Sequence, residues 1–255
     1  MPLDIVTVPC LADNYAFLIH SGETGETALV DAPEAAPVEK ALAARGWTLS
    51  HIFITHHHFD HIDAAEPLRA ATGAKMVGAS ADAHRLPKLD IAIADGDSFT
   101  FAGHQVQVFD VSGHTVGHIA FYIASANAMF TADSLMALGC GRVFEGTAPQ
   151  MWESLSKLAA LPADTIVYSG HEYTATNARF ALTIEPDNPR LQARTEYIAK
   201  ARASGTPTVP STLSEELATN PFLRAGLPEV KALLNMSQET DAAVFAEIRA
   251  RKDRF

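Results

Sequence analysis

Cysteine, positive charge and long apolar runs are all scarce in this chain of 255 residues. Its two cysteines, Cys10 and Cys140, are too few for a disulfide framework or a cysteine-built zinc module. No apolar run approaches the roughly 18 residues that are needed to span a bilayer. Lys and Arg total 19 against 30 Asp and Glu, which gives a net charge of −11. This acidic balance argues against a general nucleic-acid or anionic-membrane binder, so we expect neither kind of partner.

The beginning of the chain also lacks the marks of a targeting segment. An acidic residue stands at Asp4 and no basic run precedes the first apolar residues, so we expect no signal or transit peptide. With so few cysteines, the expected compartment is the reducing cytoplasm. An apolar fraction of 47% with 19% charged residues excludes a disordered or fibrous protein.

Two different sequence patterns divide the chain. Up to about residue 172, short apolar runs bounded by Gly-rich turns predict strands with interspersed helices, including a hairpin at Ala102-Gly103 and a helix from Val38. From residue 173 onward, helical spacing dominates over Thr174–Ile184, Leu191–Ala203, Pro228–Asn235 and Asp241–Arg251, and no strand pattern appears. We therefore predict an α/β domain over 1–172, rich in strands, and a small helical domain over 173–255.

Histidine is concentrated in one segment directly after a predicted buried strand, His51–Ile54. There the sequence reads Thr-His-His-His-Phe-Asp-His over residues 55–61. Side chains two positions apart in extended chain share a face, so His56 and His58 project together, and Asp60 and His61 can join them at the following turn. Imidazole and carboxylate groups suit Zn²⁺, Fe or Mn²⁺. So many ligand-type groups in so short a loop favour two neighbouring ions over a solvated His-rich loop, with His57 in a supporting or packing role.

Three more ligand-type residues stand where other predicted strands end. His114 follows Ser112-Gly113, Asp133 follows a strand that ends at Thr131, and His171 follows Ser169-Gly170. Each alone is more typical of a cap or surface position. Taken together, on the same predicted domain as the His cluster, they indicate one shared metal site. For His118 we favour hydrogen bonding or strand packing over metal ligation.

The His, Asp and Gly-His pattern of these segments resembles that of the metallo-β-lactamase superfamily. Asp31, at the end of a predicted strand, resembles the buried Asp of that superfamily that orients the metal loop. Further segments resemble glyoxalase II, the hydroxyacylglutathione hydrolases: Pro9-Cys10-Leu11-x-Asp13-Asn14-Tyr15, Gly139-Cys140-Gly141-Arg142, Phe144-Glu145-Gly146-Thr147, Gly170-His171-Glu172-Tyr173-Thr174, Asn220-Pro221-Phe222-Leu223-Arg224 and Arg249-x-x-Lys252-Asp253. The resemblance therefore extends along the chain into the helical tail.

The resemblance implies an αββα sandwich of the metallo-β-lactamase type followed by an all-helical domain. It also implies two divalent ions, with zinc favoured and iron or manganese as alternatives. The implied ligands are His56, His58 and His114 for one ion, Asp60, His61 and His171 for the other, and Asp133 between them.

The implied reaction is hydrolysis of S-(2-hydroxyacyl)glutathione, chiefly S-lactoylglutathione, to glutathione and a 2-hydroxy acid by a metal-bound hydroxide. This activity serves methylglyoxal detoxification, and we expect a monomer. Asp60 would orient the hydroxide and Asp133 would hold both ions. A thiol with a pKa of roughly 8.5 leaves without a strong general acid, and the sequence shows none. Cys140 is expected to pack in a tight turn, because the metal centre already supplies a nucleophile.

Glutathione is a net anion, so an acidic protein must concentrate positive charge where it binds. The resemblance places Arg249 and Lys252 on a glutathione carboxylate and Tyr173 as a hydroxyl donor to the peptide. Two positions depart from the pattern: Arg142 stands where Lys is common, and Phe144 stands where Tyr is common. The departure at Arg142 keeps the charge but alters its geometry.

Three alternative functions remain open at this point. A glutathione persulfide dioxygenase with a single iron would share the fold but not the long tail with its basic motif. A lactone or β-lactam hydrolase would leave that tail without a role. A metal-binding or sensing protein without turnover would need no substrate pocket.

The missing hydroxyl at Phe144 yields a first prediction. Phe144→Tyr restores a hydrogen-bond donor toward glutathione, so KM for S-lactoylglutathione is expected to fall while kcat stays unchanged. Steady-state kinetics of the two proteins measure this, and an unchanged KM would refute the assigned role.

Overall fold

The computed structural model describes residues 2–255, which form two compact units. The first unit runs to Asp110 and includes Gly117–Thr131; the second comprises Val111–Val116 and Ala132–Phe255. Among the described residues, no helix combines the length and the apolar character that membrane crossing requires.

The first unit contains a six-stranded sheet that is antiparallel at one edge and parallel at the other. Its strands are β1 (Asp4–Cys10), β2 (Asn14–His20), β3 (Thr27–Val30), β4 (His51–Phe53), β5 (Lys75–Ala79) and β6 (Ile91–Ile93), in that spatial order. Strands β3 and β4 are parallel neighbours, with Val30 opposite Phe53. Parallel strands end at the same edge of a sheet, so the segments after Val30 and Phe53 emerge side by side.

Three helices belong to the same unit: α1 (Ala35–Ala43), α2 (Phe59–Ile62) and α3 (Ala65–Thr72). Val38 of α1 and Leu68 of α3 share a buried cluster with Leu29 and Ile52 of the sheet. The helix predicted from Val38 thus begins three residues earlier, at Ala35. Helices α2 and α3 are separate, because the chain turns between Ile62 and Ala65.

A second sheet packs on the first within this unit. The strands β7 (Ser98–Phe101), β8 (His104–Asp110), β9 (Ile119–Ile123) and β10 (Ala128–Ala132) are successive antiparallel neighbours in it. The ring of Phe53 lies 5.1 Å from Phe99, 5.6 Å from Phe101 and 5.3 Å from Phe121, so aromatic side chains fill the space between the sheets. The predicted hairpin at Ala102-Gly103 is confirmed, and both residues have positive φ.

The second unit combines short strands with helices. Its strands are β11 (Leu135–Met136), β12 (Gly139–Cys140), β13 (Ile166–Ser169) and β14 (Ser211–Thr212). Its helices are α4 (Ala148–Ala159), α5 (Thr174–Ile184), α6 (Pro189–Ala203), α7 (Leu213–Thr219), α8 (Pro228–Leu233) and α9 (Asp241–Arg254). The β11–β12 pair forms a small hairpin, and β13 pairs with β14.

The predicted helices of the tail are confirmed, and their caps explain their limits. Helix α6 begins after Asn188, whose side chain accepts the backbone N–H groups of the first turn. Thr212 and Glu215 form the capping box of α7. Several elements lack a counterpart in the sequence-based prediction. They include helix α4, although Thr147 and Gln150 also form a capping box, and the short strands β6, β11, β12 and β14.

Candidate metal centre

The buried carboxylate of Asp31 organises the site residues of the first unit. Asp31 directly follows β3, has a φ of 56° and is 3% exposed. Its Oδ1 accepts the backbone N–H of Thr55 at 2.9 Å, and its Oδ2 accepts the Thr55 hydroxyl at 2.9 Å and Nδ1 of His61 at 2.8 Å. Asp31 is therefore buried at the end of its strand, as expected, and its hydrogen bonds orient the segment from Thr55 to His61.

These hydrogen bonds also set the tautomers of two histidines. His61 donates from Nδ1 to Asp31, which leaves its Nε2 as the unprotonated nitrogen of the neutral ring. The Thr55 hydroxyl donates its hydrogen to Asp31, so its oxygen accepts a hydrogen bond from Nδ1 of His56 at 3.0 Å. In this arrangement His56 and His61 both present the lone pair of Nε2, the form in which imidazole binds a metal. The ligand-type atoms of Asp31, His56 and His61 lie within 4.8 Å of one another.

His56 and His58 face each other as their spacing predicts. Nε2 of His56 lies 3.2 Å from Nδ1 of His58. Two nitrogens bound to one tetrahedral zinc ion at about 2.0–2.1 Å would be roughly 3.3 Å apart. The observed separation fits a pair of ligands on one ion.

Asp60 lies on α2 next to His61, and the side chain of Asn14 in β2 holds its carboxylate. Nδ2 of Asn14 donates to Oδ2 of Asp60 at 3.1 Å and to the Asp60 carbonyl oxygen at 3.0 Å. The same Oδ2 lies 3.9 Å from Nε2 of His61. Asn14 thus sets the direction of the carboxylate, a role that its place in a motif did not reveal.

The two other histidines near the cluster have the supporting roles predicted for them. Nδ1 of His57 lies 3.1 Å from Oδ2 of the buried Asp82, which also binds Arg85. The ring of His118 stacks on His56 with centroids 4.5 Å apart, and its Nδ1 donates to the Ile119 carbonyl oxygen at 3.1 Å.

A second group of ligand-type residues forms within the second unit. Nε2 of His114 lies 3.4 Å from Oδ2 of Asp133, and Nε2 of His171 lies 3.2 Å from Oδ1 of the same carboxylate. Nδ1 of His114 donates to the Arg142 carbonyl oxygen at 2.8 Å, so its Nε2 is available to a metal. A carboxylate with one oxygen toward each of two imidazoles is suited to bridge two ions.

Close packing behind these ligands depends on Gly141. A Cβ at this position would overlap the Asp133 carbonyl oxygen and lie 2.8 Å from Nδ1 of His114. The backbone at Gly141 also donates to the Ser134 carbonyl oxygen at 3.2 Å. Only glycine fits here, which explains a motif position that carries no functional group.

Two of the predicted substrate-binding residues flank the ligands of the second unit. Phe144 is 61% exposed, and its ring lies 5.3 Å from that of His114. Tyr173 stacks on His171 with centroids 4.7 Å apart and an interplanar angle of 6°. Both rings present exposed surface next to a candidate ligand.

The other three predicted substrate-binding residues are cations of the second unit. Arg249 of α9 is buried, and Arg142 is exposed. Nε of Arg142 lies 3.9 Å from Oδ1 of Asp253, the same oxygen that accepts from Arg249. Burial, together with the nearby Arg249, Arg179 and Arg142, lowers the pKa of Lys252 to about 8.

Cys140 is buried, and its Sγ lies 3.9 Å from Nη1 of Arg249. Burial raises the pKa of its thiol to about 11, although the guanidinium of Arg249 acts in the opposite direction. The thiol is therefore protonated at neutral pH, which supports the packing role predicted for it.

The tight fit at Gly141 yields a prediction. Gly141→Ala must displace Asp133 or His114, so metal affinity is expected to fall by roughly 10–100-fold. Gly22→Ala is the matched control, because a Cβ at Gly22 meets nothing within 4 Å. Metal content after dialysis against a chelator measures the effect, and equal retention by the two variants would contradict this account of Gly141.

Comparisons with known proteins agree with this arrangement. The model of the metallo-beta-lactamase superfamily matches residues 11–171, and that of the hydroxyacylglutathione hydrolase C-terminus matches residues 172–255. Hydroxyacylglutathione hydrolases of Roseobacter denitrificans and Ruegeria pomeroyi are 66% and 62% identical over the full length of both chains. The crystal structure of ETHE1 from Myxococcus xanthus, at 26% identity, aligns with a TM-score of 0.64 over 99% of this chain and 98% of its own. The chain thus belongs to the hydroxyacylglutathione hydrolase family, within the metallo-β-lactamase superfamily, and is a hydrolase.

Proposed function

We propose that this protein hydrolyses the thioester of S-(2-hydroxyacyl)glutathione, chiefly S-lactoylglutathione, and so acts in methylglyoxal detoxification. The observation that carries the proposal is the Asp133 carboxylate, which turns one oxygen to His114 and the other to His171. Such a carboxylate is the central element of a binuclear hydrolytic site. The names of the relatives support the choice of substrate.

We propose the following ligands for two divalent ions. His56, His58 and His114 would hold one ion, Asp60, His61 and His171 would hold the other, and Asp133 would bind both. The hydrogen bonds at Nδ1 of His56, His61 and His114 support this assignment, because each makes Nε2 the unprotonated nitrogen of the neutral ring, the form that binds a metal. Imidazole and carboxylate donors fit zinc, iron or manganese, and we propose zinc.

When bound, two such ions polarise the thioester carbonyl and lower the pKa of water toward neutrality. The protein positions the reactants around them. Asp60, held by Asn14, accepts a hydrogen bond from the attacking water and orients it toward the carbonyl carbon. The thiol of glutathione has a pKa of roughly 8.5, so glutathione can leave as the thiolate. No side chain needs to protonate it.

Positive charge for the glutathione carboxylates comes from the second unit. Arg142, Arg249 and Lys252 carry it, in a chain whose net charge is −11. Arg142 and Arg249 both lie near Asp253, and both lower the pKa of Lys252. The three positive charges are therefore concentrated in one region. The Tyr173 hydroxyl donates a hydrogen bond to the peptide backbone of glutathione. Phe144 offers an apolar contact in place of a second hydroxyl.

We further propose residues 1–172 as the metal-binding domain and 173–255 as the glutathione-binding domain. The boundary between the two matched family models, at residues 171 and 172, supports this division. We propose a monomer that acts in the cytoplasm.

The decisive experiment combines turnover with metal analysis of the same sample. Purified protein is assayed on S-lactoylglutathione, and its metal content is measured by elemental analysis. We expect thioester hydrolysis with about two ions per chain. His58→Ala is expected to lose metal and activity. His104→Ala is expected to retain both, because the half-buried His104 side chain pairs with Ser125.

Other outcomes would replace the proposal. A single iron per chain with oxygen consumption on glutathione persulfide would indicate a dioxygenase. Hydrolysis of lactones or β-lactams without thioester turnover would indicate another hydrolase on this fold. Bound metal without any turnover would indicate a binding protein.

The lowered pKa of Lys252 predicts a pH dependence of substrate binding. Only the protonated ammonium attracts a carboxylate, and a pKa of about 8 means that this charge is lost as the pH rises from 7 to 9. KM for S-lactoylglutathione is expected to rise over this range, by up to roughly tenfold. Lys252→Arg keeps its charge and should show a flat KM; parallel profiles of the two proteins would contradict the role of Lys252.

A further inference from the structure

One short segment of the second unit supplies or supports two of the candidate metal ligands. We name residues 133–142 the ligand hairpin: Asp133 begins it, β11 and β12 form its arms, and Arg142 ends it. Its ends are joined where Gly141 donates to the Ser134 carbonyl oxygen at 3.2 Å. The Arg142 carbonyl oxygen, two residues after Cys140, accepts Nδ1 of His114. These two ends form the base of the ligand hairpin. The position of the base therefore sets the positions of both Asp133 and His114.

Polar side chains from the helical region hold the tip of the ligand hairpin. Nδ2 of Asn220 donates to the carbonyl oxygens of Met136 and Gly139 at 3.1 and 3.0 Å. Nδ2 of Asn177 donates to the Ala137 carbonyl oxygen at 3.0 Å, and Glu216 accepts the backbone N–H of Leu138 at 2.8 Å. These bonds fix the tip, which is the end farther from the ligands in sequence.

Arg249 of α9 holds the other end, next to the ligands. Its Nη1 donates to the Cys140 carbonyl oxygen at 3.0 Å. Nε and Nη2 both donate to Oδ1 of Asp253, at 3.1 and 2.8 Å, and the guanidinium carbon lies 5.1 Å from the centre of the Phe222 ring. With 7% exposure, Arg249 is buried and each guanidinium nitrogen already has a protein partner. These contacts hold the guanidinium in one orientation and tie it to the ligand hairpin.

We propose that Arg249 is a positioning residue that holds the base of the ligand hairpin and thereby places His114 and Asp133 for metal binding. This role is additional to the carboxylate contact assigned above, and it depends on the proposed function only for the ligand assignment. Residues that orient the metal ligands strongly affect metal affinity, because a small displacement of an imidazole or carboxylate disrupts the coordination geometry. The helical tail would then serve the metal centre as well as glutathione.

The test compares metal affinity in the absence of any substrate. Wild-type protein, Arg249→Ala, Arg249→Lys and Arg251→Ala are prepared as apoproteins, and the dissociation constant for Zn²⁺ is measured by competition with a chromophoric chelator. Arg251 is the matched control, since it lies on the same helix and pairs with Glu247 at 2.8 Å. We expect affinity to fall by roughly 10–100-fold in Arg249→Ala and to stay within twofold in Arg251→Ala.

Arg249→Lys separates charge from positioning. A single ammonium retains the positive charge but lacks the planar fork that reaches Cys140 and Asp253 together. We expect weaker metal binding in this variant too, with KM for S-lactoylglutathione closer to the wild-type value than in Arg249→Ala. If Arg249→Ala does not fold, the conservative variant still provides the comparison.

Wild-type metal affinity in both Arg249 variants, with only KM increased, would overturn the positioning role. So would a lower melting temperature of the apoprotein with unchanged metal affinity, because a purely structural residue would behave in that way. Failure of wild-type protein to hydrolyse S-lactoylglutathione would instead refute the proposed function, and the affinity comparison would remain valid.

Discussion

The carboxylate of Asp31 is the interaction on which the rest of the first group of ligands depends. Removing a charge from water is costly unless hydrogen bonds replace the lost solvent. Here Asp31 receives hydrogen bonds from the Thr55 backbone, the Thr55 hydroxyl and His61. The same bonds set the proton positions of His61 and, through Thr55, of His56. The parallel pairing of β3 with β4 makes this possible, because it brings the chain after Val30 beside the chain after Phe53.

In the second unit, a backbone carbonyl oxygen orients the imidazole, in place of a carboxylate. His114 is oriented by a carbonyl oxygen of the Gly139–Arg142 segment, and Asp133 starts the hairpin that contains this segment. A hairpin of so few residues cannot hold its own shape in water. Buried side chains of the helices, Asn177, Glu216, Asn220 and Arg249, provide the missing support. Helices that look like an appended substrate-binding tail therefore contribute to the geometry of the ligands.

Much of the site could be predicted because its residues have a chemistry of their own. The His cluster after β4, together with His114, Asp133 and His171 at strand ends, was predicted as a metal site from residue type and position. Their supporting residues do not. Asn14, Gly141 and Asp82 are ordinary residue types, and their roles come from contacts with chain segments that are distant in sequence. The strand β14 escaped prediction for the same reason, since two residues carry no periodicity and only pairing with β13 makes them a strand.

The sequence by itself determined the alternation of strands and helices, the helical tail and the set of candidate metal-binding side chains. These depend on local spacing and on functional groups, which are readable along the chain. Only the tertiary structure decided which nitrogen of each imidazole is available, why a glycine must stand at position 141 and where the Arg249 guanidinium is directed. Each of these depends on hydrogen bonds or close contacts between segments that only the fold brings together.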